Sequence, residues 1–279
     1  MAELTRLDVG GGVVAHALPA AGTKVLWIHG YTLDSRSWRE MWSRLPGWQH
    51  IGLDLPAHGA SGPIGPEDDL RQLGQRVAAF CKAQEIRHVV ALSFGTLTAT
   101  QAALEEPEWF QAMVLGAPTL AGGPSDPRVA ASYWTLHQLH KAGTPAAQMK
   151  AAWMSCIAWK GIDELPELRE ELGTLVEQHE WTELAEWGIM RLLNPAQDED
   201  ELSRIQTPVL VLIGDRDLPC FHTSADVLGR TVPRYAKVIL ENTDHLCMLQ
   251  SPAPSAAHIE AHLRAHGASA LGARPDEAA

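Results

Sequence analysis

No run of about 18 apolar residues occurs in this chain, which excludes a membrane-spanning helix of ordinary length. Basic residues are scarce as well: 22 Lys and Arg face 34 Asp and Glu, a formal net charge of -12. That balance argues against nucleic-acid binding and against a basic membrane-surface patch, because both need a cationic face. It leaves room for a small anionic ligand, since one local site can differ from the mean. The cysteines are few (Cys81, Cys156, Cys220 and Cys247), and none has the spacing of a metal site or a redox pair. They read as small, reduced core residues. Cys220 and Cys247 nevertheless fall close in sequence to Asp217 and His245, two residues that matter below. A glycine-rich phosphate loop and a dinucleotide fingerprint are both missing, so no cofactor is expected. His258, His262 and His266 recur every fourth residue, but the glutamate that zinc proteases place directly after the first histidine is absent. A solvated helix face and no metal are expected there. The first residues, Met1 to Asp8, carry acids where a secretory signal is basic and then apolar, which gives the expectation of a cytoplasmic protein.

What the chain does have is length and apolar content. Its 279 residues, 46% of them hydrophobic, suffice for a large core with a subsidiary lobe. Short apolar runs bounded by turn residues predict strands at 4–8, 13–18, 25–28, 49–54, 88–90, 110–116, 207–214 and 236–240. The first two are expected at an edge, joined by Gly10-Gly11-Gly12. Helix-favouring segments at 35–45, 67–84 and 96–106 lie between strands. Alternation of this kind predicts an α/β fold, a mostly parallel twisted sheet covered by helices on both faces. Ligands of such sheets bind beyond the carboxyl ends of the strands.

From 121 to 201 strand-like runs vanish, and helix formers dominate through 129–141, 145–159, 164–180 and 181–193. The expected division is a core over 1–120 and 202–266, a helical cap over 121–201, and a small polar tail, 267–279, without order. Five of the ten tryptophans lie in the cap: Trp134, Trp153, Trp159, Trp181 and Trp187. Tryptophan anchors a small lobe well, and a set of them also suits an apolar pocket. Trp134, Trp153, Trp159 and Trp187 are the candidates for that wall, with Met154, Ile157 and Met190 beside them.

Ser93 lies at the centre of Ala91-Leu92-Ser93-Phe94-Gly95, between an apolar run and a helix-favouring segment. Strand, tight turn and helix in that order expose a serine hydroxyl at the apex. Small residues two before and two after it let the backbones close up. A serine hydroxyl is a weak nucleophile at neutral pH. It needs a base, a carboxylate to orient the base, and donors for the oxyanion that forms. The strand at 207–214 delivers Asp215-Arg216-Asp217, and the strand at 236–240 leads to Asp244-His245. The chain order Ser93, Asp217, His245 goes with this type of turn. Asp215 competes for the carboxylate role, with Asp54 and Asp244 behind it, and the spacing after Gly214 favours Asp217. The strand at 25–28 ends in His29-Gly30-Tyr31, which makes the main-chain N–H groups of Tyr31 and Phe94 the candidate oxyanion donors. His29 and His58 read as structural, Arg36 and Arg216 as solvated ion pairs.

Together with Asp54-Leu55-Pro56-Ala57-His58-Gly59-Ala60-Ser61, these segments resemble those of α/β-hydrolase-fold enzymes with a His-Gly oxyanion loop. The resemblance spans about residues 24–250 and implies that fold, a helical cap and a triad of Ser93, Asp217 and His245. Three positions depart from the family pattern. Ala91 replaces the first glycine of the turn, Thr96 a glycine after it, and Asp244 a glycine before the histidine. The expected activity is that of a serine hydrolase cleaving an ester, thioester or lactone of a small, largely apolar molecule through an acyl-serine. Acyl transfer to another acceptor, C–C bond cleavage, elimination or cyclisation in a biosynthetic pathway is the alternative, and a ligand-sensing protein a more distant one. The expected partner is a small-molecule substrate, with no nucleic acid and no membrane, and the chain is expected to be a monomer or homodimer.

Overall fold

The computed structural model describes residues 4–267. Eight strands form one sheet: β1 (Thr5–Gly10), β2 (Val13–Ala17), β3 (Thr23–Ile28), β4 (Trp48–Asp54), β5 (His88–Leu92), β6 (Ala112–Gly116), β7 (Val209–Gly214) and β8 (Tyr235–Leu240). Their spatial order is β1-β2-β4-β3-β5-β6-β7-β8. β2 runs antiparallel to β1 and β4, and the remaining neighbours are parallel. β5, β6 and β7 are buried at every residue. Strands covered on both faces need apolar side chains throughout, which is why they stand out in the sequence as unbroken runs. The hairpin between β1 and β2 turns through Gly10, Gly11 and Gly12 at φ of 99°, 61° and 79°, a region that glycine enters without steric cost.

In the first half the helices are α1 (Arg39–Ser43), α2 (Leu70–Ala83) and α3 (Gly95–Glu105). Asp69 caps α2 by accepting the Gln72 N–H, relieving one of the donors that a helix start leaves without a partner. Between β6 and β7 all regular structure among the described residues is helical: α4 (Pro127–Lys141), α5 (Ala146–Met154), α6 (Pro166–Gln178), α7 (Gly188–Arg191) and α8 (Glu199–Leu202). Then come α9 (Pro219–Thr231), α10 (Cys247–Gln250) and α11 (Pro252–Gly267). None of these helices is long and apolar enough to cross a membrane.

Several segments differ from their sequence pattern. The expected helix at 35–45 is a 3-10 turn, Ser35–Trp38, followed by the short α1. The one at 145–159 ends at Met154 and resumes as a 3-10 turn, Ile157–Ile162. The expected helix at 181–193 is instead a kinked 3-10 turn, Thr182–Trp187, and the single turn α7. Its composition favours helix, but Trp181, Glu186 and Trp187 adopt left-handed backbone angles that break the ladder. Helix α9 occupies a stretch that the pattern leaves unassigned, with Pro219 in its first turn. Gly267, the first residue of the expected tail, closes α11, and 268–279 lie outside the described residues.

The core between β3 and β4 holds Trp27 and Trp38, both 0% exposed, with ring centroids 5.2 Å apart. Trp27 Nε1 donates to His50 Nδ1 at 3.0 Å, and His50 Nε2 stands 2.9 Å from the Leu45 carbonyl. His50 is therefore neutral with its proton on Nε2, and burial pushes its pKa down to about 4.

Candidate active site

The turn after β5 is set by backbone geometry. Ser93 has φ of 50°, in the left-handed region, and its N–H donates to the Gly116 carbonyl at 2.8 Å. The chain then enters α3 at Gly95. A Cβ at residue 95 would stand 2.4 Å from the His29 carbonyl oxygen and 2.7 Å from that of Ile28, so only glycine fits. Ala91, two residues before the serine, is fully buried between Ile28 and Leu115 on the flanking strands. Thr96 supplies bonds that a glycine would lack. Its Oγ1 lies 2.6 Å from the Ser93 carbonyl as donor and accepts the Thr119 N–H at 2.9 Å, tying the turn to the loop after β6.

Ser93, His245 and Asp217 form one hydrogen-bonded chain. Ser93 Oγ is 2.7 Å from His245 Nε2, and His245 Nδ1 is 3.2 Å from both carboxylate oxygens of Asp217. Asp217 Oδ1 also accepts the Leu218 N–H at 2.7 Å. The Phe221 ring, from α9, covers the imidazole with centroids 3.9 Å apart. The other carboxylates are engaged elsewhere. Asp215 accepts the Thr243 N–H, Asp54 accepts those of Ser35 and Ala60, and Asp244 packs beside Gly161.

His29 braces the loop after β3. Its Nδ1 lies 2.8 Å from the Gly30 carbonyl, and its Nε2 accepts the Leu55 N–H at 3.0 Å. An accepting Nε2 requires the neutral ring, and burial lowers the His29 pKa accordingly. Thr32 Oγ1 donates to the Tyr31 carbonyl and accepts Trp153 Nε1–H at 2.7 Å. The main-chain N–H groups of Tyr31 and Phe94 donate to no acceptor among the described residues.

A cavity of about 460 Å³ opens between Ser93 and the helices that follow β6. Trp134, Trp153, Trp159 and Trp187 all line it. Trp153 and Trp159 are buried, whereas Trp134 is 58% exposed and stacks on Trp187 with centroids 5.5 Å apart. Met190 lines the cavity too, but Met154, Ile157 and Trp181 do not. Tyr133, Phe221 and Leu246, which no motif singles out, line it as well, and so does Cys220, close in sequence to Asp217. Adjacency was the available signal, since Phe221 follows Asp217 by one helical turn and Leu246 follows His245 directly. Cys247, by contrast, is fully buried behind the site.

No Lys or Arg is among the lining residues. Arg36 forks onto Asp34, and Arg216 bonds Asn242 rather than an acid. His58 does not line the cavity; its Nδ1 lies 2.8 Å from the Pro56 carbonyl, and burial pushes its pKa down to about 3. The stripe on α11 is only partly a solvated face. His258 is exposed, but His262 is half-buried with Nε2 3.2 Å from the Pro208 carbonyl, because α11 packs on β6.

The model of the alpha/beta hydrolase family matches residues 25–258. A dihydrolipoyllysine-residue acetyltransferase component of the acetoin cleaving system, from Cupriavidus necator, is 25% identical over 262 residues, covering 92% of this chain and 68% of that protein. A 2-succinyl-6-hydroxy-2,4-cyclohexadiene-1-carboxylate synthase from Klebsiella pneumoniae is 39% identical over 44 residues, 16% of this chain and 18% of the synthase. Among solved structures, a malate-bound thermophilic esterase from Thermogutta terrifontis superposes with a TM-score of 0.77 at 20% identity, covering 95% of this chain and 100% of the esterase. The family match takes in the turn at Ser93 and the strand ends that carry Asp217 and His245, and the chain belongs to the alpha/beta hydrolase family.

Proposed function

We propose that this protein is a serine hydrolase that cleaves an ester, thioester or lactone of a small, largely apolar molecule through an acyl-serine intermediate. The observation that carries the reading is the bonded chain Ser93–His245–Asp217 opening onto an apolar cavity. Ser93 Oγ attacks the carbonyl carbon while His245 Nε2 takes its proton. Asp217 accepts the His245 Nδ1–H, which turns the Nε2 lone pair toward Ser93 and stabilises the imidazolium that forms. The oxyanion rests on the N–H groups of Tyr31 and Phe94, each donor contributing about 3 kcal/mol to the transition state. Collapse expels the leaving group, which takes the proton from His245 and leaves acyl-Ser93. Water then gives a proton to His245 and attacks the acyl carbon; the acid departs and Ser93 recovers its hydrogen. The helical segment 121–201 serves as a cap, with Trp134, Trp153, Trp159 and Trp187 walling the acyl or ring portion. The partner is the small-molecule substrate alone, and the chain works as a monomer or homodimer.

A fluorophosphonate probe followed by mass spectrometry tests this reading. The adduct is expected on Ser93, and an adduct confined to another serine would overturn it. Non-hydrolytic chemistry on the same side chains is the second reading, favoured by the stretch shared with the synthase and by the acetyltransferase-component relative. The cavity weighs against an anionic substrate such as the carboxylate in the synthase's name, because no cationic side chain lines it. Negligible turnover of p-nitrophenyl esters of every acyl length, with Ser93 still labelled, would favour that second reading.

A further inference from the structure

The turn Thr182–Trp187 is held in a costly shape. Trp181, Glu186 and Trp187 take φ of 60°, 51° and 53°, and non-glycine residues stay there only where surrounding contacts over-determine them. Within this turn the Glu183 side chain is 1% exposed. Its Oε1 accepts the Tyr31 hydroxyl at 2.5 Å and stands 3.1 Å from His179 Nε2, while the His58 ring lies 4.5 Å from that of His179. A buried carboxylate is unfavourable unless well bonded, and here both bonds fall on Oε1 while Oε2 has no partner among the described residues. Burial by itself raises the Glu183 pKa, but His179 and the Tyr31 hydroxyl, both bonded to it, outweigh burial and bring it down to about 2.

Tyr31 sits at the other end of this contact. Its ring is wedged among Phe94, Tyr133 and Trp153, with centroids 5.7, 4.9 and 5.1 Å away. Its main-chain N–H is the oxyanion donor of the hydrolase reading, and the Tyr31 hydroxyl adds a tie to Glu183 beside those that His29 and Thr32 already give the loop. The ring and the amide nitrogen are both attached to one Cα, so anchoring the hydroxyl limits how far that Cα and its N–H can shift. Small displacements of such a donor matter, since its contribution depends on aim.

We propose that Glu183 is a positioning residue. By accepting the Tyr31 hydroxyl it ties the helices after β6 to the loop after β3 and holds the Tyr31 amide where the oxyanion develops. This rests on the hydrolase reading above.

Glu183→Gln and Tyr31→Phe test it, separately and together. Gln keeps the shape and one acceptor but drops the charge, and Phe keeps the ring but drops the donor. The readouts are kcat and KM on p-nitrophenyl butyrate, the rate of fluorophosphonate labelling at Ser93, and Tm. The expected result for Tyr31→Phe is a roughly tenfold fall in kcat with KM within about twofold, and labelling slowed by a similar factor. The double variant is expected to be no slower than the slower single one. Parental kcat and labelling in Tyr31→Phe, whatever happens to Tm, would reduce the contact to a structural one and overturn the proposal. A change in KM alone would make it a pocket contact and overturn it too. If Glu183→Gln fails to fold, Tyr31→Phe, which loses one oxygen atom, still decides. Absence of labelling at Ser93 in the parent would sink the hydrolase reading itself, and this proposal with it.

Discussion

His245 Nε2 stands 2.7 Å from Ser93 Oγ although 152 residues separate the two along the chain. The sheet makes the meeting. β5, β6, β7 and β8 run parallel, so the loops after β5 and β8, which carry Ser93 and His245, emerge at one rim with the loop after β7 that carries Asp217. Replacing Ser93 with alanine should lower kcat by roughly a thousandfold or more, and Asp217→Asn by a similar order through the wrong imidazole tautomer. Steady-state assays on p-nitrophenyl esters check both. An Asp217→Asn enzyme as active as Asp215→Asn would remove Asp217 from the mechanism.

Residue 95 has no room for a methyl group, because the carbonyls of Ile28 and His29 crowd it. Gly95→Ala should cost about 1–3 kcal/mol or more of stability and abolish labelling at Ser93. Ala91→Gly is the control, expected to lose about 1 kcal/mol and to keep activity. Thermal unfolding of the two variants side by side is the measurement, and an unchanged Tm for Gly95→Ala contradicts the packing described here.

Trp134 stands at the cavity mouth, exposed and stacked on Trp187, whose other contact is His137 with centroids 3.7 Å apart. Trp134→Ala should leave Tm nearly unchanged. For p-nitrophenyl benzoate it should raise KM roughly three- to tenfold, the scale of one lost aromatic contact. Equal KM values for parent and variant on both acetate and benzoate esters would take Trp134 out of substrate binding.

Burial lowers the pKa of His58 to about 3 and of His50 and His88 to about 4. Each is buried neutral, whereas the unfolded chain binds a proton at each near pH 6.5. Below that pH the unfolded state therefore takes up more protons, so the stability these groups contribute is present above about 6.5 and drains away as pH falls toward 4. Each imidazole should cost about 1 kcal/mol between pH 7 and 5.5, with Tm falling roughly 2 °C or more apiece. The loss begins above the range in which ordinary carboxylates titrate. A Tm that stays level from pH 7 to 5.5 would refute the neutral assignment.

Much of this arrangement is legible in the sequence because the inner strands must be apolar on both faces and the turn at Ser93 must be small on both sides. Ser93 and Asp217 follow such strands, and His245 follows β8, an apolar run at the sheet edge, so order along the chain stands in for position in space. The helices after β6 are less legible. Residues 181–193 contain Glu, Leu and Ala, good helix formers, yet tertiary contacts at Glu183 and Trp187 impose left-handed residues that no local preference predicts. Glu183 had no signal at all, because an acidic residue among helix formers reads as a solvated face. Its partner Tyr31 lies 152 residues away, and only the fold brings them together. Tyr133 is equally hidden, since nothing in helical spacing tells which side of α4 meets the cavity.

The backbone angle at residue 93 also restricts which element can serve as nucleophile in this turn. At φ of 50° a second γ substituent crowds the main chain, so threonine at 93 would carry the same strain that Thr32 carries at 63°, although it bears the same hydroxyl. Cysteine, with one unbranched γ atom, fits. Exchanging sulfur for oxygen keeps a single γ atom at this angle and would turn the site toward thiolate chemistry, whereas a secondary alcohol would add strain.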